Sequence, residues 1–218
     1  SLERAQELLF EINSLVENKR VPAMPIFLDS PLAIRLTEIY RKYTSGYFNE
    51  AAKAIINSGD DIFSFPGLKM TLHTEESKEI LRTPDPKIII AGSGMSAGGR
   101  IIHHERNYLP DPKNTILLTG YQTPGTLGRM IQQGDTGVRI MGEEVPVRAT
   151  VLTIEGYSGH KDSQNLLSFV EDSANTLKKV FVVMGEPKSS LFFVQKLRDH
   201  LAIDASAPMA GESVEIEC

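Results

Sequence analysis

The sequence predicts an α/β protein, a mostly parallel sheet flanked by helices. Three observations carry that expectation. Apolar runs of strand length, such as Met24 to Leu28 and Ile88 to Ile90, alternate with stretches whose apolar residues recur at helical spacing. The strand runs are apolar throughout, as strands covered on both faces are. Several of them end in a Gly-rich or polar turn that leads into a helix. With 218 residues and 41% apolar content the chain can fill a core. No stretch reaches the roughly 20 apolar residues that a membrane span needs.

The elements follow in chain order. Leu2, Ala5, Leu8, Leu9, Ile12, Leu15 and Val16 form one stripe of a helix that ends near Asn18. Met24 to Leu28 is a strand. Asp29, Ser30 and Pro31 then supply a cap and a first-turn proline for a helix striped by Leu32, Leu36, Ile39, Tyr40 and Tyr43. Ala51 to Ile56 is helical and stops at Gly59; Thr74 with Glu75 and Glu76 opens another short helix. Ile88 to Ile90 is a buried strand, followed by a Gly-rich turn and a helix carrying Ile101, Ile102 and two histidines. Thr115 to Thr119 is a strand, and a helix runs through Met130 and Ile131. Val138 to Ile140 and Val145 to Val147 form a hairpin across Gly142. Thr150 to Ile154 and Val180 to Val183 are strands, Asn165 to Val170 and Leu191 to Leu201 helices, and Val214 to Ile216 a final strand.

Ligands of open parallel sheets bind beyond the carboxyl ends of the strands. Five such ends carry small or polar residues: Asp29-Ser30, Gly92-Ser93-Gly94, Gly120-Tyr121-Gln122, Gly156 through His160, and Gly185-Glu186. They are expected to gather on one edge. The strongest anion-binding signal runs from Gly92 through Ser93, Gly94 and Met95 to Gly99 and Arg100. Its missing side chains let backbone amides approach an oxyanion, the following helix start adds partial positive charge, and Arg100 offers a fork of donors. The plainer alternative is that these glycines only make a tight turn. A dinucleotide is a weak reading, because the spacing is one residue off the Rossmann pattern and the next strand ends in Gly120 instead of an acid.

Charge points the same way. The chain carries 23 basic and 28 acidic residues, a net of -5, which argues against bulk attraction to nucleic acid. Between Arg82 and Arg129, however, six basic residues (Arg82, Lys87, Arg100, Arg106, Lys113, Arg129) face three acidic ones (Asp85, Glu105, Asp111). A local positive field suits a groove that follows a phosphate backbone. The sole cysteine is Cys218, so an internal disulfide and a Cys-based zinc site are excluded. His160, in a loop between a strand and a helix, is the candidate for proton transfer near neutral pH. Ser158 does not sit in a nucleophile elbow. His103 and His104 are adjacent on a helix, so they diverge and cannot chelate together, and at least one is expected to be structural. His73 and His200 are expected at the surface.

Leu28-Asp29-Ser30-Pro31-Leu32-Ala33, Gly92-Ser93-Gly94-Met95 with Gly99-Arg100 and His103-His104, Gly120-Tyr121-Gln122 with Gly125-Thr126 and Gly128-Arg129, Ser158-Gly159-His160-Lys161-Asp162, and Gly185-Glu186 together resemble the β-CASP branch of the metallo-β-lactamase-fold nucleases. The bacterial and archaeal RNA-processing members are the nearest group, and the likeness covers essentially the whole chain. The resemblance implies a helical lead-in over residues 1–9, a β-CASP domain over 10–148, and the C-terminal portion of a metallo-β-lactamase domain over 149–218. It implies single-stranded RNA as partner, with the backbone held by Gly92, Ser93, Gly94, Met95, Arg100, Gln122, Arg129 and Ser158. His160 falls on a family motif that places a histidine at the scissile phosphate. Two zinc ions are implied in the full-length parent and none in this chain, which lacks the family's His-x-His-x-Asp-His motif. Met184 stands where the RNA members have a zinc-ligating histidine. The chain alone is therefore expected not to cut, and it reads as a piece of a longer protein. A catalytically silent nucleic-acid-binding module and a DNA-acting variant stay open. No signal peptide opens the sequence, giving a cytoplasmic expectation, and exposed sheet edges in residues 149–218 make a homodimer possible.

Overall fold

In the computed structural model, which describes residues 4–154, 156, 157 and 159–216, the leading apolar stripe forms α1 (Arg4–Glu17), with Leu9 fully buried at its centre. The chain divides into two compact units, residues 1–158 and 159–218. In the first, β1 (Ile26–Asp29) is buried along its whole length. Ser30 then caps α2 (Pro31–Lys42), its hydroxyl accepting the Ala33 amide at 3.3 Å, and Arg41 and Lys42 complement the helix dipole in the last turn. Gln6 of α1 donates to the Ala33 carbonyl and to the Thr37 hydroxyl at 3.1 and 3.0 Å, joining α1 to α2 through buried polar groups.

The short α3 (Thr44–Tyr47) and the Asn49-capped α4 (Glu50–Asn57) lead to β2 (Leu68–Met70). Three residues interrupted by Lys69 left no strand signal, yet β2 pairs in parallel with β1. After α5 (Thr74–Glu79) and a 3₁₀ turn, β3 (Ile88–Ala91) pairs with the other side of β1. The order β2-β1-β3 makes β1 central. Its register sets Asp29 opposite Ala91, one residue before the Gly-rich loop.

α6 (Ile101–Tyr108), β4 (Thr115–Leu118) and α7 (Leu127–Gln133) follow. β5 (Gly137–Ile140) and β6 (Glu143–Pro146) form the expected hairpin, turned at Met141 and Gly142 with φ of 52° and 85°. β7 (Thr150–Thr153) pairs in parallel with β4. The parallel strands thus group as a three-stranded and a two-stranded sheet where one sheet was expected. Separate apolar clusters serve the unit, one around Leu9, Leu28, Ile34 and Phe63, another around Leu109, Ile131, Val138 and Ile140.

The second unit holds α8 (Ser163–Glu171), β8 (Val180–Phe181), α9 (Pro187–Leu201) and β9 (Ala205–Ser206) around Leu167, Val194, Leu197 and Ala205. β8 pairs in parallel with β9. The final strand expected at Val214 to Ile216 does not form. Both apolar residues there are exposed and alternate with glutamates, and the segment pairs with no strand among the described residues. No helix among the described residues is long and apolar enough to cross a membrane.

Ile131 is wholly buried in the second cluster. Ile131→Ala should cost about 3 kcal/mol through lost burial and the cavity left behind. Urea unfolding followed by circular dichroism measures it.

Candidate functional site

The end of the central strand is where the unit concentrates charge. Asp29 is fully buried, and four donors converge on it. Oδ1 accepts from the Thr71 hydroxyl and from Arg100 Nη1, both at 2.6 Å. Oδ2 accepts from the Ser77 hydroxyl at 2.6 Å and meets His104 Nε2 at 2.7 Å. Burial alone would raise the carboxyl's pKa. The hydrogen bonds from His104, Ser77, Thr71 and Arg100 outweigh it and hold Asp29 well below the usual carboxylate range. Of the two adjacent histidines, His104 is therefore the buried structural one, while His103 is exposed. Outside this cluster opens a cleft of about 800 Å³, bordered by Ser30, Ser77, Lys78, Gly92, Ser93 and His103.

Arg100 was expected to face a phosphate. Its fork is instead committed inside the fold, Nη1 to Asp29 and to the Thr71 carbonyl at 2.6 Å, Nη2 to the Leu72 carbonyl at 2.9 Å. Gln122 is likewise buried, its Nε2 donating to the carbonyls of Gly94 at 2.9 Å and Gly120 at 3.1 Å. Arg129 donates from Nη1 to the Gln122 carbonyl at 3.2 Å. Of these three expected phosphate contacts, Gln122 staples the loop at Gly94, Arg100 ties the loop's end to the Asp29 cluster, and Arg129 braces Gln122. The physical reason is common to all: a long polar side chain near buried carbonyls or a buried carboxylate satisfies those groups first.

The loop they hold is tightly specified. Within it, the Ser93 amide donates to the Gly98 carbonyl at 3.1 Å, the Ala97 amide to the Ser93 hydroxyl at 3.0 Å, and the Ile101 amide to the Gly92 carbonyl at 3.0 Å. From outside, the Gly128 amide donates to the Met95 carbonyl at 3.1 Å. Gly99 lies at φ 73°, and a Cβ there would stand 2.6 Å from the Gly92 carbonyl oxygen. Gly128 is equally constrained, since a Cβ would collide with the Gln122 side chain. The amides of Gly94 and Met95 make no hydrogen bond among the described residues, and Ser93 and Gly94 are exposed. The loop therefore offers backbone donors held by a rigid frame.

Beneath the loop lies a group that the sequence did not single out. Glu105 of α6 is buried, and its Oε1 accepts from the Ser96 hydroxyl at 2.5 Å. Burial pushes its pKa up to about 7, against the Ser96 hydrogen bond, which works downward.

In the second unit His160 is exposed and lies two residues before Asp162, whose Oδ1 caps α8 by accepting the amides of Gln164 and Asn165 at 3.0 and 2.8 Å. Ser158, expected beside the phosphate, lies outside the described residues. Met184 is fully exposed at φ 66°. Among the described residues no three His, Cys, Asp or Glu side chains converge, so the zinc implied by resemblance has no donor set here. Met184 supplies only a thioether, a soft ligand ill suited to zinc.

Residues 5–131 match the model of the Beta-Casp domain, and residues 144–208 that of the Zn-dependent metallo-hydrolase RNA specificity domain. A ribonuclease of Thermus thermophilus is 39% identical over 216 residues, covering 99% of this chain and 48% of the relative. The transcription termination factor FttA of Thermococcus kodakarensis is 31% identical over 223 residues, covering 98% of this chain and 34% of that protein. An RNase J-like protein of Methanocaldococcus jannaschii is 30% identical over 213 residues, covering 98% and 48%. The chain thus spans half or less of the length of these relatives.

Asp29→Asn keeps the size of the side chain but leaves Arg100 without its counter-charge. It should lower stability at pH 7 by about 3 kcal/mol. The folded carboxyl titrates below the unfolded value of about 3.9, so its contribution is complete above that value and is lost as pH falls below it. Urea unfolding should therefore show the gap between wild type and variant closing as pH drops from about 5 to about 2.

Proposed function

The chain belongs to the β-CASP family of nucleases, and from that premise we propose that it is the RNA-binding portion of a zinc-dependent ribonuclease acting in RNA processing or decay. The carrying observation is the loop at the end of β3, whose Gly94 and Met95 amides are unpaired among the described residues while its carbonyls are stapled from behind. Backbone amides bind a phosphate without reading a base, as a strand-tracking groove requires. Residues 10–148 form the β-CASP domain in this reading, and 149–218 the C-terminal portion of the metallo-hydrolase domain. In the parent, His160 protonates the leaving oxygen or stabilises the charge developing on it, and zinc is held by residues outside this chain.

A second reading, a catalytically silent nucleic-acid-binding module, draws support from Met184, exposed where a histidine ligand would stand.

Fluorescence anisotropy with a labelled single-stranded oligonucleotide tests the binding reading. The purified chain should bind RNA with an affinity that falls as salt rises, and added zinc should produce no cleavage. Preference for single-stranded DNA would redirect the proposal to a DNA-acting variant. Gly99→Ala, which sets a Cβ against the Gly92 carbonyl, should weaken binding by about tenfold, the scale of a 1.4 kcal/mol loss; an unaltered affinity would remove the loop from the interface. In the full-length parent, His160→Ala should abolish cleavage and spare binding. Cleavage at the wild-type rate would exclude His160 from the chemistry, and a parent that never cleaves favours the silent module.

A further inference from the structure

Glu105 has no part in the function proposed above, yet it sits under the loop that function depends on. The residue is 3% exposed. One oxygen carries the Ser96 hydroxyl; the other is buried and has no hydrogen-bond partner among the described residues. Ser96 is itself buried and holds a left-handed φ of 54°, an uncommon conformation for a residue with a side chain. It follows Met95 directly, so the Glu105 contact fixes the turn just behind the amides offered to a phosphate.

We propose that Glu105 is a proton-linked positioning residue of this site, which carries the Ser96 turn and takes up a proton when the loop takes a phosphate. This role rests on the RNA-binding reading and adds a titrating group to it. A buried carboxylate is costly without a counter-charge, and none reaches Glu105. The groups around it can be named element by element. Its own helix contributes His104, bound to Asp29, Tyr108, which lines the same cleft with Lys87 over its ring, and Arg106, paired with Glu143. The loop contributes only the Ser96 hydroxyl. The adjoining apolar cleft between β3 and β4 carries Lys87, paired with Asp85 at 2.8 Å, and Asp111 and Lys113 at its rim. From α1 the cleft receives Leu8 and Ile12. Burial already brings the carboxyl close to half-protonation at neutral pH. A phosphate arriving on the Gly94 and Met95 amides adds negative charge over the same turn, and a like charge favours the neutral acid. Proton uptake on binding follows, and by linkage binding weakens as pH rises through neutrality.

Isothermal titration calorimetry of the full chain with a single-stranded oligouridine, in buffers of different ionisation enthalpy at pH 7, counts the protons. The wild type should take up a fraction of one proton, and its affinity should fall severalfold from pH 6 to pH 8, at most tenfold per pH unit for one proton. Histidine protonation falls in the same window, so the decisive comparison is Glu105→Gln. That variant keeps an acceptor for Ser96 and should show a smaller proton count and a flatter affinity profile. Ser96→Ala removes the hydrogen bond that favours the carboxylate, so the midpoint should move to higher pH. An equal proton count in wild type and Glu105→Gln, or a midpoint unmoved in Ser96→Ala, overturns the proposal while leaving RNA binding in place. No RNA binding at any pH overturns both readings. Should Glu105→Gln fail to fold by circular dichroism, the Ser96→Ala midpoint decides.

Discussion

A single buried carboxylate organises the first unit. Asp29 ends the central strand, and its four partners arrive from separate directions: Thr71 from the segment after β2, Ser77 from α5, Arg100 and His104 from the end of the Gly-rich loop and α6. A charge sealed from water is tolerated only when its lone pairs are filled. Each partner therefore has its place fixed by the same two oxygens, and the strand order β2-β1-β3 follows the same requirement, since only a central β1 reaches both flanks. The register that sets Asp29 against Ala91 then delivers the Gly92 loop to a defined point beside the cluster.

That constraint shapes the anion site proposed for the loop. The sequence promised guanidinium forks, and guanidinium forks would have given strong, bidentate phosphate contacts. The fold uses them as internal braces, with Gln122 closing the third side. The loop itself offers backbone: the Gly94 and Met95 amides are unpaired among the described residues, and Ser93 borders a cleft that Arg100 also lines and whose Lys78 is paired with Glu75 at 2.8 Å. Backbone amides are weaker donors than guanidinium groups, but they cannot rotate away once the frame is rigid, so the ordering cost is met during folding instead of during binding. The sites at Gly99 and Gly128 show how close that frame is drawn, for neither has room for a methyl group.

The sequence was most legible where one local rule sufficed. Periodicity located α1, the Ser30-Pro31 pair located α2, and the residues around Gly142 located the hairpin turn. β2 and β9 escaped because two or three residues hold no period; their existence depends on a partner strand already in place. The same distinction separates right from wrong at the site. That the Gly92 loop is a loop, with glycines essential to it, follows from composition. That Arg100 turns inward follows only from Asp29, 71 residues away in sequence. Ser96 and Glu105 are nine apart, and nothing in their surroundings marks them as a pair until the left-handed turn brings one over the other.

His160 and Met184 belong to a different compact unit from the loop, the one whose core is built on Leu167, Val194 and Leu197. This separation bears on how chemistry could be divided along the chain. The binding role proposed for the loop needs rigidity, and the first unit supplies it through backbone hydrogen bonds and the buried Gln122 side chain. The proton transfer proposed for His160 needs exposure and a fixed main chain, and Asp162 caps α8 two residues beyond it. Met184 is exposed as well, but a thioether neither moves a proton nor competes well for a borderline cation. Among the described residues of the second unit the proposed proton transfer therefore falls to His160, and position 184 offers a metal only a thioether.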